Sequence, residues 1–137
     1  MPDIFYIEDD LDYIDIVESA LTQVDQQTSL KSIDDGIIAL QTLQQLADDK
    51  SLPRLVLLDW NLNGVSGLDI LRKIRESQTL KQVPVVVFST SDNPRDIHSS
   101  IEFGANAYVT KPLGYLNIIS CLTSIHHFWL KTAAVVN

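Results

Sequence analysis

A single cysteine, Cys121, stands among the 137 residues, so no internal disulfide can form, and there is neither a CxxC pair nor a Cys/His spacing suited to zinc. That usage fits a reducing compartment, and the cytoplasm is the expected location. Basic residues are few as well: ten Lys plus Arg face eighteen Asp plus Glu, a net charge of −8. No segment gathers enough of them to hold a phosphate backbone, which argues against nucleic-acid binding. No apolar run reaches the roughly 20 residues that cross a bilayer, and the opening Met1-Pro2-Asp3 is not a basic and then apolar leader. A chain neither exported nor anchored in a membrane is expected. Linkers, repeats and low-complexity tracts are missing too, and the length suits one domain that buries about two-thirds of its unfolded surface.

What is present is an alternation of short apolar runs with longer amphipathic segments, a βα unit repeated five times. Ile4-Phe5-Tyr6-Ile7 reads as a strand, followed by a helix with Ile14, Val17, Leu21 and Val24 as its inward stripe. Residues 28–33 read as a weaker, flanking strand. Asp34-Asp35-Gly36 then caps a helix that buries Leu40, Leu43 and Leu46 or Ala47. The third strand runs from Leu55 to Asp59, and its helix starts near Gly67, with Leu68, Leu71 and Ile74 inward and Arg72, Lys73, Arg75 and Glu76 toward water. Val85 to Ser89 is the fourth strand. Asn93-Pro94 opens a helix to Phe103, Asn106 to Thr110 is the fifth strand, and a last helix runs from Pro112 to about Leu130. Near-continuous apolar strands with helical crossovers imply an α/β fold, a parallel sheet covered on both faces.

Asp59 ends the apolar run Leu55-Val56-Leu57-Leu58. A strand-ending Asp taken alone serves equally well as a turn cap. A parallel sheet, however, brings the carboxyl ends of its strands to one edge, where ligands dock. Glu8-Asp9-Asp10 follows the first strand and Lys111 the fifth. Clustered carboxylates repel one another and stay ionised only with a cation among them, and few oxygen ligands with room for water suit Mg²⁺ better than zinc. A carboxylate nucleophile, an oxygen-ligated ion and an ammonium together describe phosphoryl transfer. The Ser89 hydroxyl, at the end of the fourth strand, can complete the cradle.

These residues resemble the receiver domain of two-component response regulators. The resemblance covers almost the whole chain and is carried by the acidic pair after strand one, "LVLLDWNL", the "VSG" turn, "PVVVFSTS" and "GANAYVTKP". It implies a doubly wound, flavodoxin-like (βα)5 fold with strand order 2-1-3-4-5, in a single receiver domain over 1–131 with a tail at 132–137 and no output domain. It implies that Asp59 accepts a phosphoryl group from a histidine of a sensor kinase and that the chain is a signalling domain rather than an enzyme. Asp9 would bind Mg²⁺ directly, Glu8 through water or by orienting it, and Asn61 through its backbone carbonyl, with Asp59 completing the metal set. Lys111 would pair with Asp59 and then with a phosphoryl oxygen, Ser89 would bond another, and Tyr108 would be the aromatic switch that reports this contact. Asn61 and Ser91 would flank the path of hydrolytic water. Asp10 reads as a capping or solvated acid. Lys111-Pro112 is a candidate cis peptide, and Asn63 departs from the proline that the family usually has there, which frees φ but removes no ligand.

The last helix carries more apolar surface than one face needs. Tyr115, Ile118, Ile119, Leu122, Ile125 and Trp129 make one stripe, while Leu116, Cys121, Phe128 and Leu130 lie around it. A wide core contact and a partner or homodimer face are both open, and Phe128-Trp129-Leu130 resembles stand-alone receivers associated with phytochrome kinases. His126 and His127 read as surface or interface residues, and Trp60 as a loop aromatic near the mouth of the site. Two other functions compete with a kinase-fed receiver whose downstream partner is unknown. A phosphatase of the haloacid-dehalogenase type needs a second Asp two residues after its nucleophile, where this chain has Asn61. A pseudo-receiver would have lost part of the set Glu8, Asp9, Asp59, Ser89 and Lys111. A flavin-binding domain needs a phosphate loop where this chain is acidic.

Overall fold

A computed structural model describes residues 2–134. Five strands and five helices alternate: β1 Ile4–Ile7, α1 Leu11–Val24, β2 Leu30–Ile33, α2 Gly36–Asp48, β3 Leu55–Leu58, α3 Gly67–Glu76, β4 Val85–Ser89, α4 Pro94–Glu102, β5 Ala107–Thr110 and α5 Tyr115–His126. All strand pairs are parallel, in the order β2-β1-β3-β4-β5. The parallel sheet expected from the alternation and the doubly wound strand order implied by the resemblance are therefore the observed ones. Among the described residues no helix is long and apolar enough to cross a membrane.

Strand alternation divides the core into two layers. Phe5, Ile7, Val56, Leu58, Val85 and Val87 face α2 and α3, where they meet Ala39, Leu43, Ile70, Leu71 and Ile74. Ile4, Tyr6, Leu55, Leu57, Val86 and Phe88 face α1 and α5, where they meet Val17, Leu21, Ile118 and Leu122. The three central strands are buried on both sides, which is why they read as unbroken apolar runs rather than as alternating ones. Burying each such side chain contributes about 1.5–3 kcal/mol. The register sets Ile7 beside Leu58 and Leu58 beside Val87, so the residues that follow β1 and β3 emerge side by side at one edge.

Helix starts follow local capping chemistry. Asp10 caps α1 by accepting from the N–H groups of Asp12 and Tyr13, Asp35 caps α2, Ser66 caps α3, and Asn93 caps α4 with Pro94 in its first turn. Asp10 is thus occupied as a cap.

Several expectations are corrected. In α2 the fully buried positions are Ala39 and Leu43, with Leu40, Leu46 and Ala47 only partly covered. In α3 Ile70 is fully buried and Leu68 only partly, because the helix leans its 67–70–71–74 edge on the sheet. Arg75 does not point to water: its Nε donates to Gly104 O at 2.8 Å, Nη1 to Val83 O at 2.8 Å and Lys81 O at 3.1 Å, and Nη2 to Asn106 Oδ1 at 3.0 Å. Asn106 itself stays outside β5, since its Oδ1 also accepts from Val85 N. The last helix begins at Tyr115 rather than Pro112, because Lys111 N still pairs with Ser89 O and Gly114 turns the chain at φ +88°. It passes into a π-helical turn over His127–Thr132, where Arg54 Nη2 donates to Leu130 O at 2.7 Å. Leu130 is buried and Cys121 half-buried, so much of the surplus apolar surface is core, while Leu116 and Phe128 stay exposed. The Lys111–Pro112 bond is trans, as are all peptide bonds among the described residues. Of the tail expected at 132–137, residues 135–137 lie outside the described residues.

Candidate functional site

The carboxyl edge of the sheet gathers the acids. Carboxylate oxygens of Glu8, Asp9 and Asp59 lie within 4.8 Å of one another. Glu8 and Asp59 are buried and Asp9 is half-buried. Each is placed by its strand: Glu8 N pairs with Ile33 O, and Asp59 N donates to Ile7 O at 3.0 Å, so the two side chains leave the sheet as neighbours. Lys111 enters from the end of β5. Its Nζ bonds Glu8 Oε1, stands 3.9 Å from Asp59 Oδ1 and lies 4.0 Å above the Tyr13 ring.

Three carboxylates against one ammonium leave two negative charges uncompensated, the charge of one divalent cation. The strain shows on Asp59: burial, with Glu8 adding to it and Lys111 opposing, pushes its carboxyl up to about 7. A hard, oxygen-only donor set with this deficit fits Mg²⁺, Mn²⁺ or Ca²⁺ and not zinc. Burial, and then Glu8, raises Tyr13 to about 12 and Tyr6 well above the ordinary tyrosine value, so both phenols keep their protons.

Ser89 is fully buried at the end of β4, and its Oγ accepts from Ser91 N at 3.2 Å and from Asn61 Nδ2 at 3.5 Å. Asn61 is exposed and its backbone N–H steadies Asp59. Tyr108 is half-buried, packed on the core layer of α2 and α3, and its hydroxyl donates to Ser91 O at 2.7 Å. Ser91 in turn donates from Oγ to Asp96 of α4. A chain of contacts thus runs from Ser89 through the loop after β4 to both α4 and β5. Of the residues expected at the site, Glu8, Asp9, Asp59, Asn61, Ser89 and Lys111 lie at this edge or on the loops that leave it, whereas Tyr108 sits within β5 beside Val87 and reaches the loop after β4 only through its hydroxyl.

Some contributors lie outside the expected set. Tyr6 donates to Glu8 Oε1 at 2.9 Å from a wholly buried position. Strand period two would have revealed it, since residues 6 and 8 share a face. Asn63 donates its backbone N–H to Asp9 Oδ2 at 2.8 Å, a bond that proline at this position could not make. Trp60 is not at the mouth of the site: it is 7% exposed and packs in the core layer of α2 and α3 with Leu62, Val65 and Leu68, where its large apolar ring is covered. His126 is not a surface residue. It is buried at the far end of α5, with Nε2 2.8 Å from Thr28 Oγ1 and 3.3 Å from Asp25 Oδ2, partners that sequence distance concealed.

Comparison with known proteins agrees with this geometry. The family model of the response regulator receiver domain matches residues 4–123. Response regulator Rcp1 of Synechocystis sp. is 37% identical over 103 residues, which are 74% of this chain and 70% of that protein. The crystal structure of the phosphorylated cyanobacterial phytochrome response regulator RcpA is similar with a TM-score of 0.89 at 34% identity, covering 98% of this chain and 97% of that one. The Mn(2+)-bound form of response regulator Rcp1 gives a TM-score of 0.85 at 32% identity, covering 99% and 100%. Fold, acidic edge and sequence similarity converge, and the chain belongs to the response regulator receiver domain family.

Proposed function

We propose that this chain accepts one phosphoryl group on Asp59 from a phosphohistidine of a sensor kinase, with Mg²⁺, and signals through altered protein contacts. The observation that carries the reading is the buried Asp59 carboxylate set among Glu8, Asp9 and Lys111 at the carboxyl edge of the sheet. An Asp59 oxygen attacks phosphorus, the new P–O bond forms as the P–N bond breaks, and the histidine nitrogen leaves with that electron pair. A bound Mg²⁺ supplies charge neutralisation for the carboxylate and the phosphoryl oxygens. Asp9 binds the ion directly, Glu8 orients it or acts through water, and the Asn61 backbone carbonyl and Asp59 complete its protein ligands. Lys111 compensates a phosphoryl oxygen, Ser89 donates to another, and Tyr108 follows the Ser89 loop as the switch.

The donor in this reading is a phytochrome-type histidine kinase. Similarity to the cyanobacterial phytochrome response regulator RcpA supports that choice. Leu116 and Phe128, apolar and exposed on and after α5, are candidate contacts for a downstream protein or for a second copy of the chain.

Acetyl phosphate with Mg²⁺ tests the reading. Intact-mass measurement should show one added phosphoryl group on the wild type and none on Asp59→Asn. If the mass shift survives that substitution, Asp59 is not the acceptor.

A further inference from the structure

Tyr6 occupies a place where apolar packing asks only for a ring. Its neighbours in the layer facing α1 and α5 are Ile4, Ile14, Val17, Leu57 and Phe88, and the ring is tilted against Phe88 with centroids 6.5 Å apart. Phenylalanine would fill that volume equally well. The hydroxyl is nevertheless committed: it donates to Glu8 Oε1, the same oxygen that Lys111 holds. Glu8 is 1% exposed, so bulk solvent barely reaches its carboxylate. Its other oxygen accepts only a long bond, 3.3 Å, from Asp10 N.

Lys111 cannot serve two partners at full strength. In this structure it rests on Glu8 and stands off from Asp59 Oδ1 by 3.9 Å. A phosphoryl group on Asp59 would bring new anionic oxygens within its reach and draw the ammonium away from Glu8. The buried Oε1 would then lose its charged donor, and an unpaired buried carboxylate oxygen is costly.

We propose that Tyr6 is a positioning residue which keeps Glu8 Oε1 hydrogen-bonded while Lys111 transfers to the phosphoryl group on Asp59. The inference rests on the reading of Asp59 as phosphoryl acceptor. It makes Tyr6 the fixed donor and Lys111 the mobile one, with Glu8 held in place for the metal throughout. The step moves no covalent bond; it exchanges one ion pair for another.

Two measurements test it, and the first needs no phosphorylation. Tyr6→Phe is made in the wild type and in Lys111→Met, and the folding equilibrium constant of each is read from urea unfolding without metal. With both donors on one oxygen, Tyr6→Phe should lower the constant about tenfold in the wild type and about a hundredfold once Lys111 is gone. Equal factors in the two backgrounds would overturn the shared-oxygen claim. The second measurement is the acetyl phosphate reaction of Tyr6→Phe as a function of Mg²⁺. The rate at saturating metal should fall about tenfold, while the Mg²⁺ dissociation constant moves less than about twofold. An unchanged rate, or a loss confined to metal affinity, would overturn the standby role. Failure of the wild type itself to take up a phosphoryl group would overturn the acceptor reading and with it the transfer of Lys111, whereas the unfolding cycle still decides whether Tyr6 and Lys111 share Glu8.

Discussion

Lys111 Nζ stands 3.9 Å from Asp59 Oδ1 while bonded to Glu8, so the acid at the centre of the site is only partly compensated. Burial therefore prevails and raises Asp59 from 3.8 to about 7. A raised carboxyl binds its proton more tightly in the fold than in the unfolded chain. Without metal, the fold is favoured below pH 4, and that advantage is lost as pH rises from about 4 through 7. Over about three pH units the loss amounts to about 2–4 kcal/mol. Asp59→Asn should remove it: metal-free urea unfolding of the variant should show a flatter pH profile and greater stability than wild type at pH 8. A steeper profile in the variant would place the titration elsewhere.

A divalent cation replaces the missing positive charge, so its effect should follow the ionisation of Asp59. At pH 8 the carboxylate is free to receive the ion, whereas at pH 5.5 a proton must first be displaced. Saturating Mg²⁺ should raise the melting temperature by several degrees at pH 8, clearly less at pH 5.5, and little at either pH in Asp59→Asn. Chelation should reverse the shift. Scanning calorimetry at the two pH values checks all three statements, and an equal shift at both would separate metal binding from Asp59.

How much of this was legible in the sequence depends on the range of the interaction. Apolar runs fixed the central strands, capping residues fixed the starts of α2 and α4, and the strand ends fixed the acidic edge, since each of these is written within a few neighbouring residues. The arginine and histidine assignments failed for the opposite reason. Arg75 finds acceptors in the segment before β4 and in the turn after α4, and His126 finds Thr28, whose distance along the chain no periodicity encodes. Trp60 follows a carboxylate in a loop and reads as exposed, yet the bend that returns the chain to α3 covers it. The Tyr6 hydroxyl was hidden within an apolar run, where a phenol passes for a ring.

Arg75 should be a structural brace without a part in the chemistry. One guanidinium satisfies three backbone carbonyls and the Asn106 side chain, joining α3 to the segments before β4 and β5. Arg75→Met takes this donor from the three backbone carbonyls, leaving Asn106 Oδ1 with Val85 N alone, and should destabilise the fold by about 2–4 kcal/mol. Arg75→Lys should recover only a small part, because an ammonium lacks the planar fork that reaches four acceptors. Chemical unfolding gives the stabilities, and acetyl phosphate labelling of the folded fraction should match wild type. A labelling defect beyond the loss of folded protein would make Arg75 part of the site.

Gly64 in the loop after β3 and Gly67 at the start of α3 should respond differently to the same added methyl group. At Gly67 a Cβ would lie 2.7 Å from Trp60 Cα, 2.8 Å from Asp59 O and 2.9 Å from Trp60 O, all backbone atoms that cannot swing aside. Gly67 N also donates to Trp60 O, so the start of α3 is pressed directly on the peptide that follows Asp59. Gly67→Ala must push that peptide, costing about 1–3 kcal/mol of stability and displacing Asp59 from Glu8, Asp9 and Lys111. At Gly64 the Cβ would meet nothing within 4 Å, and only the φ of +78° opposes alanine. Gly64→Ala should therefore cost about 1 kcal/mol and leave labelling at Asp59 intact. Urea unfolding paired with acetyl phosphate labelling separates the two. Equal labelling defects in both variants would show that loop strain, rather than the close approach of α3 to Asp59, governs the site.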